Sequence, residues 1–210
     1  MRAAVRSGCA LRQLTGPRVY TAEVVILFVC TANVCRSPMA AALLDVAVGD
    51  IGESVTVASA GLLEGGRPVT PEVIKVMTPF GADMTAHRST RLTETSIEAA
   101  DLILTMERRH GREVALLVPT AWSRTFTLKD LIRRGEEVGP RAPGQPVASW
   151  LEVVGQGRER SALTGRAAED EVADPIGGRI GQYRSAAAEL SDLVNRLVRL
   201  LWSDAGRADS

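Results

Sequence analysis

The run Val24-Val25-Ile26-Leu27-Phe28-Val29-Cys30 constrains this chain more than any other stretch, through both its own composition and the loop it leads into. An unbroken apolar run rich in β-branched residues, with no polar alternation, describes a strand buried on both faces, the kind found inside parallel sheets. Thr31-Ala32-Asn33-Val34-Cys35-Arg36 then forms a short loop without glycine, and Ser37-Pro38 opens a helix. Ser37 suits the N-cap and Pro38 the first helical position. Asn33 is one of the few residue types besides glycine that tolerates left-handed backbone angles, which a tight loop here requires. The expected elements are a strand at about Val24–Val29 and a helix from Pro38 to about Val48.

The same stretch carries a chemical pattern. Cys30 lies at the strand end, and Arg36 and Ser37 stand at the helix start, giving the spacing C-x5-R-S. A thiolate is the nucleophilic form of cysteine, and helix N-termini and neighbouring cations both favour it. Successive backbone N–H groups curling into a helix N-terminus make an anion cradle. Arginine adds a planar fork matching two phosphate oxygens. The residues Thr31, Ala32, Asn33, Val34, Cys35, Arg36 and Ser37 are therefore the candidate phosphate-binding loop, Cys30 the candidate nucleophile and Arg36 the candidate oxyanion clamp. A buried structural cysteine is the plainer alternative for Cys30 alone; the joint pattern favours catalysis.

Strand-like and helix-like segments alternate along the rest of the chain. Strands are expected at Val55–Ser59, Asp101–Thr105 and a short Thr125–Leu128. Helices are expected from Pro71 through Val73, Ile74, Val76 and Met77, at Glu107–Leu117, and from Gln182 to Trp202. The last carries Leu190, Leu193, Val194, Leu197 and Leu201 on one face, which reads as core packing. This alternation predicts an α/β fold: a doubly wound, four-stranded parallel sheet with helices on both faces. In such sheets ligands bind beyond the carboxyl ends of the strands, near a topological switch point, and Cys30 lies at such a strand end.

Composition bounds the rest. The 210 residues, 45% of them apolar, suit one globular domain, expected at residues 23–203. Twenty-five basic and twenty-five acidic residues leave no net charge, so no nucleic-acid partner is expected. No apolar run approaches a membrane span, and no membrane partner is expected. Residues 1–22 carry Arg2, Arg6, Arg12 and Arg18 before the first acid, Glu23, and read as a disordered extension, as do residues 204–210. Residues 135–172, with Pro140, Pro143 and Pro146, read as an insertion in which Trp150, Leu151, Val153 and Val154 share a helix packing back on the domain. The sequence holds three cysteines, Cys9, Cys30 and Cys35, too few for a disulfide framework. A thiol nucleophile needs a reducing compartment, so the expected location is the cytoplasm. Two loop cysteines without two further ligands do not close a zinc site, and neither metal nor cofactor is expected. Oligomeric state is not readable.

The stretch Cys30-Thr-Ala-Asn-Val-Cys35-Arg36-Ser37-Pro38 resembles the signature loop of the low-molecular-weight protein tyrosine phosphatases. Three landmarks in the family's order extend the resemblance: Ser59-Ala60-Gly61, His87-Arg88-Ser89 and Asp174-Pro175. It implies the phosphotyrosine protein phosphatase I-like fold and a substrate that is a phosphorylated protein or a small phosphomonoester. It further implies Asp174 as general acid, with Asp130 and Asp83 the competing carboxylates, and a hydrogen-bonded support of Asn33, Ser59 and His87 behind the loop. Ser37 would bond the thiolate as well as cap the helix. Cys35 would be a redox partner that traps oxidised Cys30 as a disulfide, against a plain role as buried filler. His87 reads equally well as a turn residue, and His110 as part of a solvated helix face.

Two departures bear on substrate. Tyrosine-specific members carry aromatics after Asp-Pro and in the loop after Ser59; here the residues are Ile176-Gly177-Gly178 and Leu62-Leu63-Glu64. Tyr183 or Trp150 could substitute. A related branch that hydrolyses phosphoarginine places threonine where this chain has Val34. Another reduces arsenate through downstream cysteines, and none comes after Cys35, which leaves only a reductase using an external small thiol. A phosphate-sensing scaffold is the non-enzymatic alternative.

Overall fold

The computed structural model describes residues 23–49, 54–163, 165 and 167–202, so the expected tails and Cys9 lie outside the described residues. Four parallel strands, β1 (Val24–Cys30), β2 (Val55–Gly61), β3 (Leu102–Thr105) and β4 (Thr125–Thr127), form one sheet in the order β2-β1-β3-β4. The helices are α1 (Arg36–Ala47), α2 (Pro71–Met77), α3 (Glu94–Ala99), α4 (Arg108–Leu117), α5 (Leu128–Val138), α6 (Val147–Val154) and α7 (Ile180–Leu201).

Strand β1 is buried along its whole length. Its side chains alternate between two apolar layers, as strand geometry demands. Val24, Ile26, Phe28 and Cys30 join the larger layer with α1, α5, α6 and α7; Val25, Leu27 and Val29 join the smaller one with Ile97 of α3 and Val114 of α4. The chain leaves β1 toward β2 through α1 and later returns to β1's other edge with β3. The β1/β3 boundary is therefore the switch point, and the chain segments after β1 and β3 face each other across it.

Several boundaries differ from the sequence reading. Strand β2 continues to Gly61 because it stays in register with Cys30. Gly61 is required there: a Cβ would stand 2.8 Å from the Asn33 nitrogen and from the Ala32 carbonyl carbon. Helix α3 was not legible, nor was α5, capped by Thr127 accepting from the Asp130 N–H at 3.2 Å. Leu128, placed in the fourth strand by sequence, instead begins α5, and residues 135–138 are its last turn rather than part of a loop-like insertion. Gly135 lets α5 approach α6 and α7, since a Cβ would meet Leu200 at 2.9 Å and Trp150 at 3.1 Å. Helix α6 packs Trp150, Leu151 and Val154 into the core and leaves Val153 exposed. Arg158 then binds this segment to the edge strand β4: its guanidinium lies over Phe126 at 3.6 Å and Trp122 at 4.3 Å and donates to the Thr125 carbonyl. The α7 stripe Leu190, Leu193, Val194, Leu197 and Leu201 is buried in the core. Among the described residues, no helix is long and apolar enough to cross a membrane.

Candidate active site

The loop from Cys30 to Arg36 crosses from the C-terminal end of β1 to the first turn of α1. Asn33 has φ 53°, the only positive φ among described non-glycine residues. That conformation directs the Asn33 N–H to the Cys30 sulfur at 3.3 Å. The Ser37 hydroxyl lies 3.0 Å from the same sulfur. Both groups can donate to a thiolate, which is what stabilises that form.

The sequence placed Ser37 at the N-cap and Pro38 at the first helical position; both shift. Helix α1 starts at Arg36, its N-cap is Cys35, and no side chain caps it. The Ser37 hydroxyl instead faces Cys30, accepts from Asn33 Nδ2 at 2.9 Å and lies 3.3 Å from the Ala60 carbonyl. No side chain takes the N–H groups at the helix start, which is what an anion site needs.

Asn33 is held from every side. Its Nδ2 also donates to Ser59 Oγ at 2.8 Å, and its Oδ1 accepts from the Thr90 N–H at 2.8 Å. His87 Nε2 lies 2.9 Å from the Asn33 backbone carbonyl. A carbonyl only accepts, so that nitrogen carries the proton. Burial lowers the His87 pKa, which keeps the ring neutral. The histidine therefore reaches the loop backbone and not, as expected, the asparagine side chain. A left-handed asparagine costs energy that only surrounding structure can offset.

Arg36 is 2% exposed and has three hydrogen-bond partners. NH1 donates to Glu107 Oε1 at 2.6 Å and to the Val172 carbonyl at 3.1 Å, and NH2 donates to Asp174 Oδ2 at 2.6 Å. Asp174 thus comes to the loop across 138 residues of sequence. Its segment is anchored by the Val172 N–H on the Met106 carbonyl at 2.9 Å and by buried Asp170, which accepts from Arg108 Nε at 2.8 Å and NH2 at 2.6 Å. The competing carboxylates are bound elsewhere: Asp130 pairs with Arg133, Arg134 and Arg158, and Asp83 accepts from Thr85.

The β3–α4 turn and the first turn of α4 supply residues that the sequence did not single out for the site. Burial pushes the Glu107 carboxyl up, but hydrogen bonds from Arg109 and Arg36 outweigh it and hold the group at about 2. His110, expected on a solvated face, is fully buried with Nε2 3.0 Å from Thr31 Oγ1. Burial, with help from the two arginines, depresses it to about 3 against the pull of Glu107, so it is neutral. The signal for this turn was its place: Met106-Glu107-Arg108-Arg109-His110 comes directly after a strand beside the switch point.

Cys35 is in no disulfide and is 1% exposed. Burial first, then the negative charge of Asp174 and Cys30, pushes its thiol far above the ordinary range. Trp150 and Tyr183 do not line the mouth: Trp150 is 2% exposed, and its Nε1 donates to the Gly139 carbonyl at 3.0 Å, while Tyr183 is equally buried in the core. Leu63 is tied to the loop by its N–H, which donates to the Thr31 carbonyl at 3.1 Å, and Ile176 is tied to Asp174 by its N–H, which donates to Oδ1 at 3.3 Å. Both side chains are exposed.

A cysteine sulfur held within a strand-to-helix loop, with that loop's arginine paired to a carboxylate on a doubly wound sheet, fits a cysteine-based phosphatase. The chain belongs to the low molecular weight phosphotyrosine protein phosphatase family, whose model matches residues 25–139. It is 32% identical over 180 residues to a protein-arginine-phosphatase of Geobacillus stearothermophilus, covering 85% of this chain and 97% of that one. A probable low molecular weight protein-tyrosine-phosphatase, EpsP, of Ralstonia solanacearum is 41% identical over 106 residues, covering 50% and 71%. The crystal structure of a low molecular weight protein tyrosine phosphatase from T. tengcongensis superposes with a TM-score of 0.65 at 28% identity, covering 85% of this chain and 99% of that one.

Proposed function

We propose that the protein removes the phosphoryl group from phosphotyrosine in cytoplasmic proteins through a cysteinyl-phosphate intermediate. The observation that carries the mechanism is the convergence on one loop of Cys30, its two hydrogen-bonding neighbours Asn33 and Ser37, and the Arg36–Asp174 pair. The Cys30 thiolate attacks phosphorus, the P–O bond to the leaving group breaks, and Asp174 passes a proton to the departing oxygen. Water then attacks the thiophosphate, Asp174 takes its proton, and the P–S bond breaks to return the thiolate. Arg36 and the loop N–H groups hold the equatorial oxygens throughout. Ser37 hydrogen-bonds the sulfur when it leaves.

Asp174 must move for this to happen. Its Oδ1 and Oδ2 both accept hydrogen bonds in the resting arrangement, from the Ile176 N–H and from Arg36, so neither presents a proton to a leaving group. A substrate phosphate supplies a competing anion for Arg36 and frees the carboxyl. Cys35 would act as the resolving thiol for an oxidised Cys30, and a reducing compartment keeps both cysteines as thiols.

Val34 supports phosphotyrosine over phosphoarginine, because this buried apolar side chain stands where the resemblance places threonine in the arginine branch. Two observations favour phosphoarginine as a second reading: the exposed residues tied to Thr31 and to Asp174 are the aliphatic Leu63 and Ile176, and a protein-arginine-phosphatase aligns over 97% of its own length. One preparation assayed without metal against p-nitrophenyl phosphate, phosphotyrosine peptide, phosphoarginine and arsenate decides among them. Vanadate-sensitive hydrolysis that favours phosphotyrosine and vanishes in Cys30→Ser is expected. Persistent hydrolysis in Cys30→Ser sinks the mechanism, and preference for phosphoarginine replaces the substrate.

A further inference from the structure

Thr31 and Arg36 stand at opposite ends of the phosphate loop and have no reason in the sequence to be coupled. In the fold they are joined by a continuous chain of charge-assisted hydrogen bonds that runs outside the loop. Arg36 NH1 donates to Glu107 Oε1 at 2.6 Å. The same oxygen accepts from Arg109 NH2 at 3.0 Å, and Glu107 Oε2 accepts from Arg109 Nε at 2.7 Å. Arg109 NH2 then reaches Thr31 Oγ1 at 2.9 Å. The Thr31 carbonyl is fixed from its other side by the Leu62 and Leu63 N–H groups at 2.7 and 3.1 Å, and His110 backs its hydroxyl.

We propose that Arg109 is a positioning residue for phosphate capture, tying the entry of the loop at Thr31 to its exit at Arg36 through Glu107. The inference rests on the loop being the phosphoryl site. Arg109 touches neither the substrate position nor the sulfur in this arrangement; it acts through its two partners.

The fork shape of the guanidinium is essential to this role. Bonding both Glu107 oxygens and the Thr31 hydroxyl from Nε and NH2 is a planar, multi-donor task, for which an ammonium is a poor substitute. The Arg109 side chain is about half exposed, and an ordinary exposed ion pair contributes little. Here its partner Glu107 is buried and shared with the catalytic arginine, so a change at Arg109 is felt at Arg36. Three carboxylates favour the charged form of Arg109, those of Glu107, Asp174 and Glu171. A general positive potential at the rim would also attract phosphate, and that alternative is separable, because charge without a fork would then suffice.

The test is a double-variant cycle of Thr31→Val with Arg109→Met, plus Arg109→Lys, read as vanadate and phosphate inhibition constants and as kcat and KM for p-nitrophenyl phosphate. Each single variant is expected to weaken oxyanion binding roughly tenfold, with the double no worse than the weaker single, since both break one connection. Arg109→Lys should behave like Arg109→Met. Multiplicative effects in the double, or full recovery by lysine, overturn the proposal. Thermal unfolding of the unliganded variants reports any general loss of fold, and Arg109→Lys with Thr31→Val keeps the question decidable if Arg109→Met does not fold. Absence of turnover in the unaltered protein would instead strike the phosphatase reading itself.

Discussion

The loop after β1 and the turn after β3 face each other across one crevice, but different forces shape them. The loop is built from neighbours in sequence: Asn33 N–H on Cys30, Ser37 on Cys30, and Asn33 on Ser37, all within eight residues. Glu107, Arg109 and His110 have no such local logic. Their site partners, apart from each other, are Arg36, Thr31 and, by charge, Asp174, more than sixty residues away in either direction. The hydrogen bonding around the Cys30 sulfur is thus local, while the groups that hold Arg36 come from elsewhere. A motif can specify chemistry by itself, whereas its alignment depends on the sheet that brings the two segments together.

The sharpest way to separate the two sides is at Asp174, which belongs to neither. Asp174→Asn is expected to lower kcat by roughly a hundred- to ten-thousand-fold, the usual range for a general acid. Vanadate inhibition should persist or strengthen, because an anion no longer competes with the carboxylate on Arg36. Loss of vanadate binding would show that the acid holds the loop together.

Glu107 tests the facing turn. Its carboxyl sits at about 2 in the fold against 4.5 when free, so the stabilisation is complete above pH 4.5 and is lost as pH falls through about 2. The shift corresponds to something on the order of 3 kcal/mol. Thermal unfolding of Glu107→Gln should show a deficit at neutral pH that closes toward pH 2. A deficit independent of pH would mean that Glu107 matters only as packing.

Within the loop, peroxide treatment and then peptide mass mapping should yield a Cys30–Cys35 disulfide, with activity restored by thiol. Cys35→Ser should leave severalfold more enzyme irreversibly oxidised. Because burial disfavours the Cys35 thiolate, the resolving step should be slow, and an absent disulfide would return Cys35 to simple packing. The smallest effect is expected at the rim. Ile176→Phe would offer a phosphotyrosine ring an aromatic wall and raise kcat/KM on phosphotyrosine peptides a few-fold without changing that for an alkyl phosphate. Equal gains on both substrates would argue against ring recognition there.

Much of the fold was legible because hydrophobic runs and turn residues act locally. The β1 strand, the left-handed Asn33, the parallel αβ alternation and the α7 stripe all stem from residue type and spacing. The misreadings share a cause. Ser37 is a good N-cap by type, yet its hydroxyl faces Cys30 and Asn33. His110 lies in a polar stretch of sequence, yet the first turn of α4 places it against Thr31. Trp150 looked available for the mouth, yet the α5–α6 contact at Gly135 draws it inward.

By itself, then, the sequence determined the strand, the left-handed Asn33 and the loop that carries Cys30 into α1, because a strand end, an asparagine that accepts left-handed angles and a helix start are short-range properties. Only the tertiary structure decided that Asp174 rests on Arg36, that Glu107 and Arg109 join Arg36 to Thr31 from the segment after β3, and that His110 is buried against Thr31. Those contacts join segments far apart in the chain, and their partners are chosen by strand order and layer packing, which no local pattern encodes.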